Sequence, residues 1–215
     1  ELDSNAKKAA NALAKKLLTD KNSTLPYEQQ VQMAVVTFST NASLEQPFTT
    51  NVSEINSAAE GNPDGGTNWE AALKQANDLQ GRSGVKKHII FLSDGNPTYR
   101  ISDYPIGCDG PRNPCNPDDS WYTTPKGVHG AGTEGSDERY GYNYAAALAE
   151  ANKRGDAALY VVKTSTKANK MADFAAQADA VDGEEFDCTN AENLTKAFDR
   201  IYSTITSSAK IKVFS

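Results

Sequence analysis

Apolar residues recur along the chain in two alternating patterns, one with helical spacing and one typical of buried strands. Between residues 4 and 19, Ala9, Leu13 and Leu17 fall on one helical face, whereas Val31 to Phe38 is a mostly apolar, β-rich run. The same patterns predict further strands at 44–48, 87–92, 157–163 and 184–188, and further helices at 52–59, from 67, and at 143–153, 170–178 and 191–207. This alternation predicts an α/β fold with a doubly wound, mostly parallel sheet flanked by helices.

One long segment interrupts the alternation. Residues from about 96 to 142 hold six of the nine prolines, together with many glycines and aromatic residues. Irregular connections longer than about 12–15 residues are usually functional or disordered, and the aromatic content favours order here. We therefore expect a single domain over residues 1–208 with an irregular insertion after the strand that ends at Asp94. Residues 209–215 alternate polar and apolar positions, which suits the start of a linker or a further domain.

Composition narrows the classes of function. The 215 residues suffice for one α/β domain with an ordinary core. The formal net charge is -6 and the isoelectric point is near 5.0, which argues against nucleic acid as a partner and agrees with cation binding. No apolar run approaches the roughly 20 residues that a membrane-spanning helix needs.

Two short motifs carry the candidate chemistry. Gly65-Gly66-Thr67 precedes a predicted helix, and Asp94-Gly95 ends the apolar strand that begins near His88. In open α/β sheets, ligands bind where parallel strands end, so a hydroxyl and a carboxylate are expected to meet at that edge. Thr67 could instead serve only as the cap of the helix that follows.

These motifs resemble those of the von Willebrand factor A domain and its metal-ion-dependent adhesion site. The resemblance extends over nearly the whole chain and implies a Rossmann-like fold in which Thr67 and Asp94 are ligands of Mg²⁺, or of Ca²⁺ or Mn²⁺. It also implies a D-x-S-x-S motif on a first strand, and neither the motif nor the strand is present in this sequence. With Thr67 and Asp94 alone, the site is expected to be incomplete and to hold a cation weakly.

The absent strand has a structural consequence. In the strand order of the family it lies between the strand that ends near Ser39 and the strand that ends near Asp94. Its absence is expected to leave two apolar strands with unpaired inner edges, which are costly when buried and prone to aggregate when exposed. We therefore expect the chain to lack its natural start, and the gap to be filled by an upstream segment, a companion peptide or a strand from a partner.

The resemblance implies an adhesive function. The insertion after Asp94 is similar to the arms of tip adhesins of Gram-positive pili, so we expect an extracellular module on a cell wall or pilus that binds a host extracellular-matrix or cell-surface protein or glycan. The alternative is a metal-independent structural or assembly module completed by a strand from another chain. An enzyme is not expected, because no nucleophile with a partner base is evident, and Gly61 to Thr67 lacks the lysine of a phosphate-binding loop.

The remaining reactive side chains give weaker indications. Cys108 and Cys115 share one loop rich in proline and glycine, which favours a disulfide between them and an oxidising compartment. The alternative is that both are reduced thiols. Cys188 is expected to be a buried small residue or to pair with a cysteine of the missing segment. His88 is expected to be structural and His129 to lie in the insertion. Four N-x-[ST] sequons begin at Asn22, Asn41, Asn51 and Asn193, and their use depends on a source that the sequence does not reveal.

Overall fold

The computed structural model describes residues 2–61, 64–102, 128–130 and 137–208. Helices and strands alternate along the described chain. Its helices are α1 (Leu2–Leu17), α2 (Asp20–Ser23), α3 (Val52–Ala59), α4 (Trp69–Asp78), α5 (Asp137–Ala151), α6 (Met171–Gln177) and α7 (Ala191–Ser208). Its strands are β1 (Met33–Phe38), β2 (Ala42–Thr49), β3 (His88–Ser93), β4 (Tyr99–Arg100), β5 (His129–Gly130), β6 (Ala158–Lys163) and β7 (Glu185–Asp187).

Three parallel strands form the most regular part of the sheet. β6 lies between β3 and β7, with His88 opposite Ala158 at one end of the first pair and Ser93 opposite Lys163 at the other. The connections between these strands contain α5 and α6, as expected for parallel strands that need a crossover helix. The predicted doubly wound α/β architecture is confirmed.

Helices cover both faces of this sheet. Alternate residues of β6 point to opposite faces, so Leu159 and Val161 join one apolar cluster and Tyr160 and Val162 join the other. The first cluster adds side chains from α4, α5 and α6, including Trp69, Leu73, Ala147, Met171 and Phe174. The second adds side chains from α1, α3 and α7, including Leu13, Leu17, Ile55, Phe198 and Ile201.

The sheet is interrupted between β1 and β3. β1 pairs with β2 in an antiparallel hairpin, and among the strands of the described residues this hairpin forms no ladder with β3, β6 or β7. All six residues of β1 are only half-buried, and β3 alternates between half-buried and buried positions. The expectation of two apolar strands with unpaired inner edges is therefore confirmed for the described part of the chain.

One boundary differs clearly from the sequence prediction. α5 begins at Asp137 rather than near Asn143, so its first turns lie inside the range predicted as the insertion. The sequence at 137–140 has no apolar periodicity from which a helix could be predicted. The other predicted elements agree with the observed ones to within a few residues. Residues 209–215 lie outside the described ranges.

Candidate functional site

The candidate site lies at the carboxyl edge, which we define as the edge of the sheet where β1 and β3 end. The loop of residues 64–68 spans the two strand ends. Asn68 donates from its backbone N–H to the carbonyl of Ser39 at 2.8 Å and from its side-chain amide to the carbonyl of Thr40 at 2.9 Å. On the other side, the hydroxyl of Thr67 lies 3.5 Å from the point where a Cβ on Gly95 would sit. The loop of residues 64–68 thus contacts the chain after β1 and the chain after β3.

The backbone of Thr67 is held firmly by the chain that follows β3. Its carbonyl accepts hydrogen bonds from the backbone N–H groups of Thr98 at 2.7 Å and Tyr99 at 3.0 Å. Its own N–H donates to the hydroxyl of Thr98 at 2.8 Å. These three bonds fix both peptide groups of Thr67, so its side chain projects from a constrained backbone beside the residue that follows Asp94.

Thr67 is not the residue that caps α4. Asn68 occupies that position, and its side-chain oxygen accepts the N–H of Ala71 at 3.0 Å. The alternative that the Thr67 hydroxyl serves only as a helix cap is therefore wrong. Asparagine is as good a cap as threonine, so sequence alone did not distinguish neighbouring positions.

Asp94 follows β3 and is exposed to solvent. The turn that carries it is anchored through Ser93, which is buried and accepts a hydrogen bond from the indole N–H of Trp69 at 2.9 Å. The Ser93 hydroxyl in turn donates to the carbonyl of Gly95 at 2.9 Å. An exposed carboxylate therefore stands on a turn whose base is fixed in the core.

The paired glycines before Thr67 are required by close packing. Gly65 has φ +119°, and a Cβ on it would lie 2.8 Å from the hydroxyl of Thr40. A Cβ on Gly66 would lie 2.2 Å from the ring of Tyr99. Any side chain at Gly66 would therefore displace Tyr99, whose backbone N–H holds Thr67.

A buried polar cluster, which the sequence analysis did not identify, lies directly beneath this loop. We call it the Glu70 cluster, and it consists of Glu70, Arg100, Ile101, Ser102 and Asn143. The Glu70 carboxylate, 4% exposed, accepts the backbone N–H groups of Ile101 at 2.8 Å and Ser102 at 3.0 Å and the hydroxyl of Ser102. It joins α4 to the point where the chain enters the predicted insertion.

The loops that carry Thr67 and Asp94 therefore meet at the carboxyl edge, and each loop offers an oxygen of the kind that a hard cation binds. Thr67 offers a neutral hydroxyl and Asp94 a carboxylate, and Mg²⁺ prefers oxygen ligands of this kind while keeping several waters. Among the described residues, no group of three or more His, Cys, Asp or Glu side chains is arranged to bind a metal ion. The residues present thus fit part of a cation site, and the assignment of Thr67 and Asp94 as ligands stays a prediction.

The other candidate residues lie away from this edge or outside the described ranges. His88 stacks on Tyr160 with 3.1 Å between its Nδ1 and the phenol oxygen, and burial lowers its pKa, in agreement with the predicted structural role. His129 lies in β5, opposite Arg100. Cys188 is buried as expected, and it forms no disulfide within the described ranges. Cys108 and Cys115, for which a disulfide was predicted, lie outside the described residues.

The asparagine side chains of two of the four sequons have structural roles. The side chain of Asn22 is buried, donates to the carbonyl of Val31 at 3.0 Å and accepts the N–H of Val31 at 2.7 Å. Asn22 is only 5% exposed, which leaves no space for a glycan on its amide, so it is unsuited to glycosylation in the folded protein. Asn51 caps α3, and Asn41 is exposed.

Comparison with known proteins agrees with this architecture. Residues 3–96 match the family model of the von Willebrand factor type A domain. The fold resembles the vWF domain of the type V pili tip protein Mfa5 from Porphyromonas gingivalis, with a TM-score of 0.71 and 18% identity, over 98% of this chain and 90% of that one. No curated protein matches the sequence. None of the helices in the described ranges has the length and apolar character of a bilayer span.

Two longer pilus proteins contain the same fold. The PilB minor pilin from Streptococcus sanguinis gives a TM-score of 0.72 at 18% identity over 98% of this chain and 56% of that one. The pilus adhesin SpaC from Lactobacillus rhamnosus GG gives 0.66 at 16% identity over 96% of this chain and 28% of that one. This chain thus spans about half or less of the length of these two proteins. The family match and the shared architecture confirm the resemblance seen in the sequence: this chain has a von Willebrand factor A-type α/β fold.

Proposed function

We propose that this domain is an extracellular adhesion module that binds a cell-surface ligand through a divalent cation held at Thr67 and Asp94. The observation that supports it most directly is the proximity of the Thr67 hydroxyl to the Asp94-Gly95 turn, on a backbone fixed by three hydrogen bonds. The proposal assigns no catalytic role to the domain.

The chemistry of the two side chains suits ligand capture. A bound Mg²⁺, or Ca²⁺ or Mn²⁺, would supply a Lewis-acidic centre for an acidic group of a partner. Asp94 contributes a single negative charge and Thr67 contributes none, so the protein would leave much of the positive charge of the cation unneutralised. Because Asp94 is exposed, a ligand on another molecule has access to this position.

The proteins with a similar fold guide the choice of partner. Mfa5 is a type V pili tip protein, PilB is a minor pilin and SpaC is a pilus adhesin. By analogy we propose a location on a pilus or cell wall and a host extracellular-matrix or cell-surface protein or glycan as the ligand. Fold-level analogy alone does not identify a particular ligand.

Titration with MgCl₂ and with MnCl₂ by isothermal calorimetry tests the cation site. We expect weak binding to the unaltered chain and a loss of affinity of about tenfold or more in Asp94→Asn, because the charged ligand is removed. Thr67→Val should weaken binding less, since it removes a neutral oxygen. The matched control is Asp156→Asn, which changes an exposed carboxylate before β6, at the opposite edge of the sheet. Equal losses in Asp94→Asn and Asp156→Asn would refute a specific site.

A second candidate function is favoured by the interruption between β1 and β3. In an assembly module, an extended segment would insert between these strands and form main-chain hydrogen bonds with both inner edges. The half-buried residues of β1 would then become buried. Such binding would not need a cation, and the segment could be an upstream part of the polypeptide or a companion chain.

Metal dependence separates the two candidates. A partner that binds equally well in EDTA and to Asp94→Asn would contradict the cation-dependent mechanism and favour assembly. Hydrogen exchange then locates the partner, because an inserted strand should slow exchange at the amides of β1 and β3 that the hairpin and β6 leave unpaired. Unchanged exchange at both strands on partner binding would rule out strand insertion.

A further inference from the structure

The Glu70 cluster joins three parts of the molecule that are distant in sequence. Glu70 lies in the first turn of α4, where the helix dipole favours a negative charge. Its partners Ile101 and Ser102 follow β4, at the start of the predicted insertion. A buried carboxylate that accepts several N–H and O–H donors forms strong, charge-assisted hydrogen bonds.

Arg100 connects the same region to α5, which follows the insertion. Its side chain is 1% exposed and donates to the carbonyl of Ser102 at 3.0 Å and to the side-chain oxygen of Asn143 at 3.2 Å. Asn143 is equally buried and donates to the carbonyl of Pro97 at 3.3 Å. The chain entering the insertion and the helix leaving it are therefore fixed to each other at their base.

The segment held by Glu70 is also the segment that holds Thr67. Ile101 and Ser102 directly follow Thr98, Tyr99 and Arg100, and Thr98 and Tyr99 make all three backbone bonds to Thr67. Glu70 itself is only three residues after Thr67. The contacts to Glu70 and the contacts to Thr67 are thus joined by the short backbone segment of residues 98–102.

We infer that Glu70 is a positioning residue that couples residues 98–102, where the chain enters the insertion, to the Thr67 loop, so that these two segments respond together to a ligand at the candidate cation site. This role rests on the proposed function where it concerns cation binding, and on geometry alone where it concerns the coupling. Glu70 does not touch the cation in this scheme and acts through the backbone of residues 98–102.

Hydrogen exchange measured by mass spectrometry tests the coupling without any cation. Glu70→Ala removes all three acceptor contacts, so exchange at the amides of Thr98, Tyr99, Ile101 and Ser102 should accelerate by about tenfold or more. Glu70→Gln should restore most of the protection, because its amide oxygen can still accept both N–H groups. The matched control is Glu54→Ala on α3, a first-turn glutamate whose carboxylate accepts only from Thr49, Asn51 and Gln46 in the β1–β2 region.

The pattern of exchange decides between coupling and general destabilisation. Acceleration confined to residues 98–102 and to Thr67 and Asn68 supports the inference, with β6 amides as the internal reference. Acceleration at Ile101 and Ser102 alone would overturn it, as would an equal acceleration throughout β6. If Glu70→Ala does not fold, a rise of about threefold at Thr98 and Tyr99 in Glu70→Gln serves as the test, since the charge assistance is lost there too.

Cation affinity adds a second, independent measurement. If the unaltered chain binds Mn²⁺, Glu70→Ala should weaken that binding by about three- to tenfold, and Glu70→Gln should recover most of the affinity. The control Glu54→Ala should leave the Mn²⁺ affinity unchanged. Full Mn²⁺ affinity in Glu70→Ala would overturn the functional part of the inference. If the unaltered chain binds no Mn²⁺, the proposed function fails while the exchange result still decides whether the coupling exists.

Discussion

β6 and β1 are both apolar six-residue strands, yet they have very different surroundings. β6 is paired on both sides, by β3 and β7, and the four residues from Leu159 to Val162 are at most 1% exposed. β1 is paired by β2 on one side only, and none of its residues is fully buried. An apolar strand sequence therefore sets the capacity for burial, and the neighbouring strands decide how much of that capacity is realised. Among the described strands, β6 is thus paired along both edges, whereas β1 has one edge without a partner strand.

The largest expected effect compares one substitution in the two strands. Val161→Ala removes two methyl groups from a fully buried position and leaves a cavity, which should cost about 2 to 3 kcal/mol of unfolding free energy. Val35→Ala makes the same change at a half-buried position of β1 and should cost about 1 kcal/mol or less. Urea unfolding of both variants measures the difference. Similar losses would show that β1 is as completely buried as β6 in solution.

An intermediate effect compares two helix caps. Asn68 caps α4, is fully buried and also donates to the carbonyl of Thr40, whereas Asn51 caps α3 at an exposed position. Asn68→Ala should cost about 2 kcal/mol, because it removes the cap and leaves the Thr40 carbonyl without this donor. Asn51→Ala should cost about 0.5 to 1 kcal/mol. If Asn68→Ala and Asn51→Ala unfolded at the same urea concentration, the hydrogen bond from Asn68 to the Thr40 carbonyl would contribute no stability.

Much of this fold could be predicted because its apolar patterns are local. The helix at 52–59 and the strand at 88–93 follow from the spacing of apolar residues within their own segments. The interruption between β1 and β3 was predicted from the family resemblance and not from periodicity. The start of α5 could not be predicted, because residues 137–140 have no apolar periodicity in the sequence.

The candidate site was predictable only in part. Thr67 and Asp94 were expected to meet because parallel strands place their carboxyl ends at one edge of the sheet, and the structure brings their loops together. Glu70 was not found, since its partners lie 31 and 32 residues further along, in a segment without periodic pattern. A glutamate among the apolar residues Trp69, Ala71, Ala72 and Leu73 was the available signal, because a carboxylate buried there needs donors.

The smallest expected effect tests how well the core is closed beside β7, the strand that pairs with β6 on the side away from β3. Cys188 follows β7, donates its N–H to the carbonyl of Lys163 at 2.7 Å and is 2% exposed. Burial raises the pKa of its thiol to about 12, with a further contribution from the nearby Asp187 carboxylate. At pH 8 the native thiol should therefore resist iodoacetamide, and peptide mapping should find Cys188 modified only in urea.

The same group makes a signed contribution to the pH dependence of stability. The thiol ionises near pH 9 in the unfolded chain and near pH 12 in the folded one, so the folded state holds this proton more tightly. Its contribution is fully present below about pH 9 and is lost progressively as the pH rises towards 12. Cys188→Ala should therefore lose less stability than the unaltered chain between pH 8.5 and roughly 10.5 in urea unfolding. If the unfolding free energies of the two proteins changed equally with pH, or if iodoacetamide modified Cys188 rapidly in the native protein, Cys188 would be accessible beside β7. The difference in burial between the β6 and β1 regions would then not extend to β7.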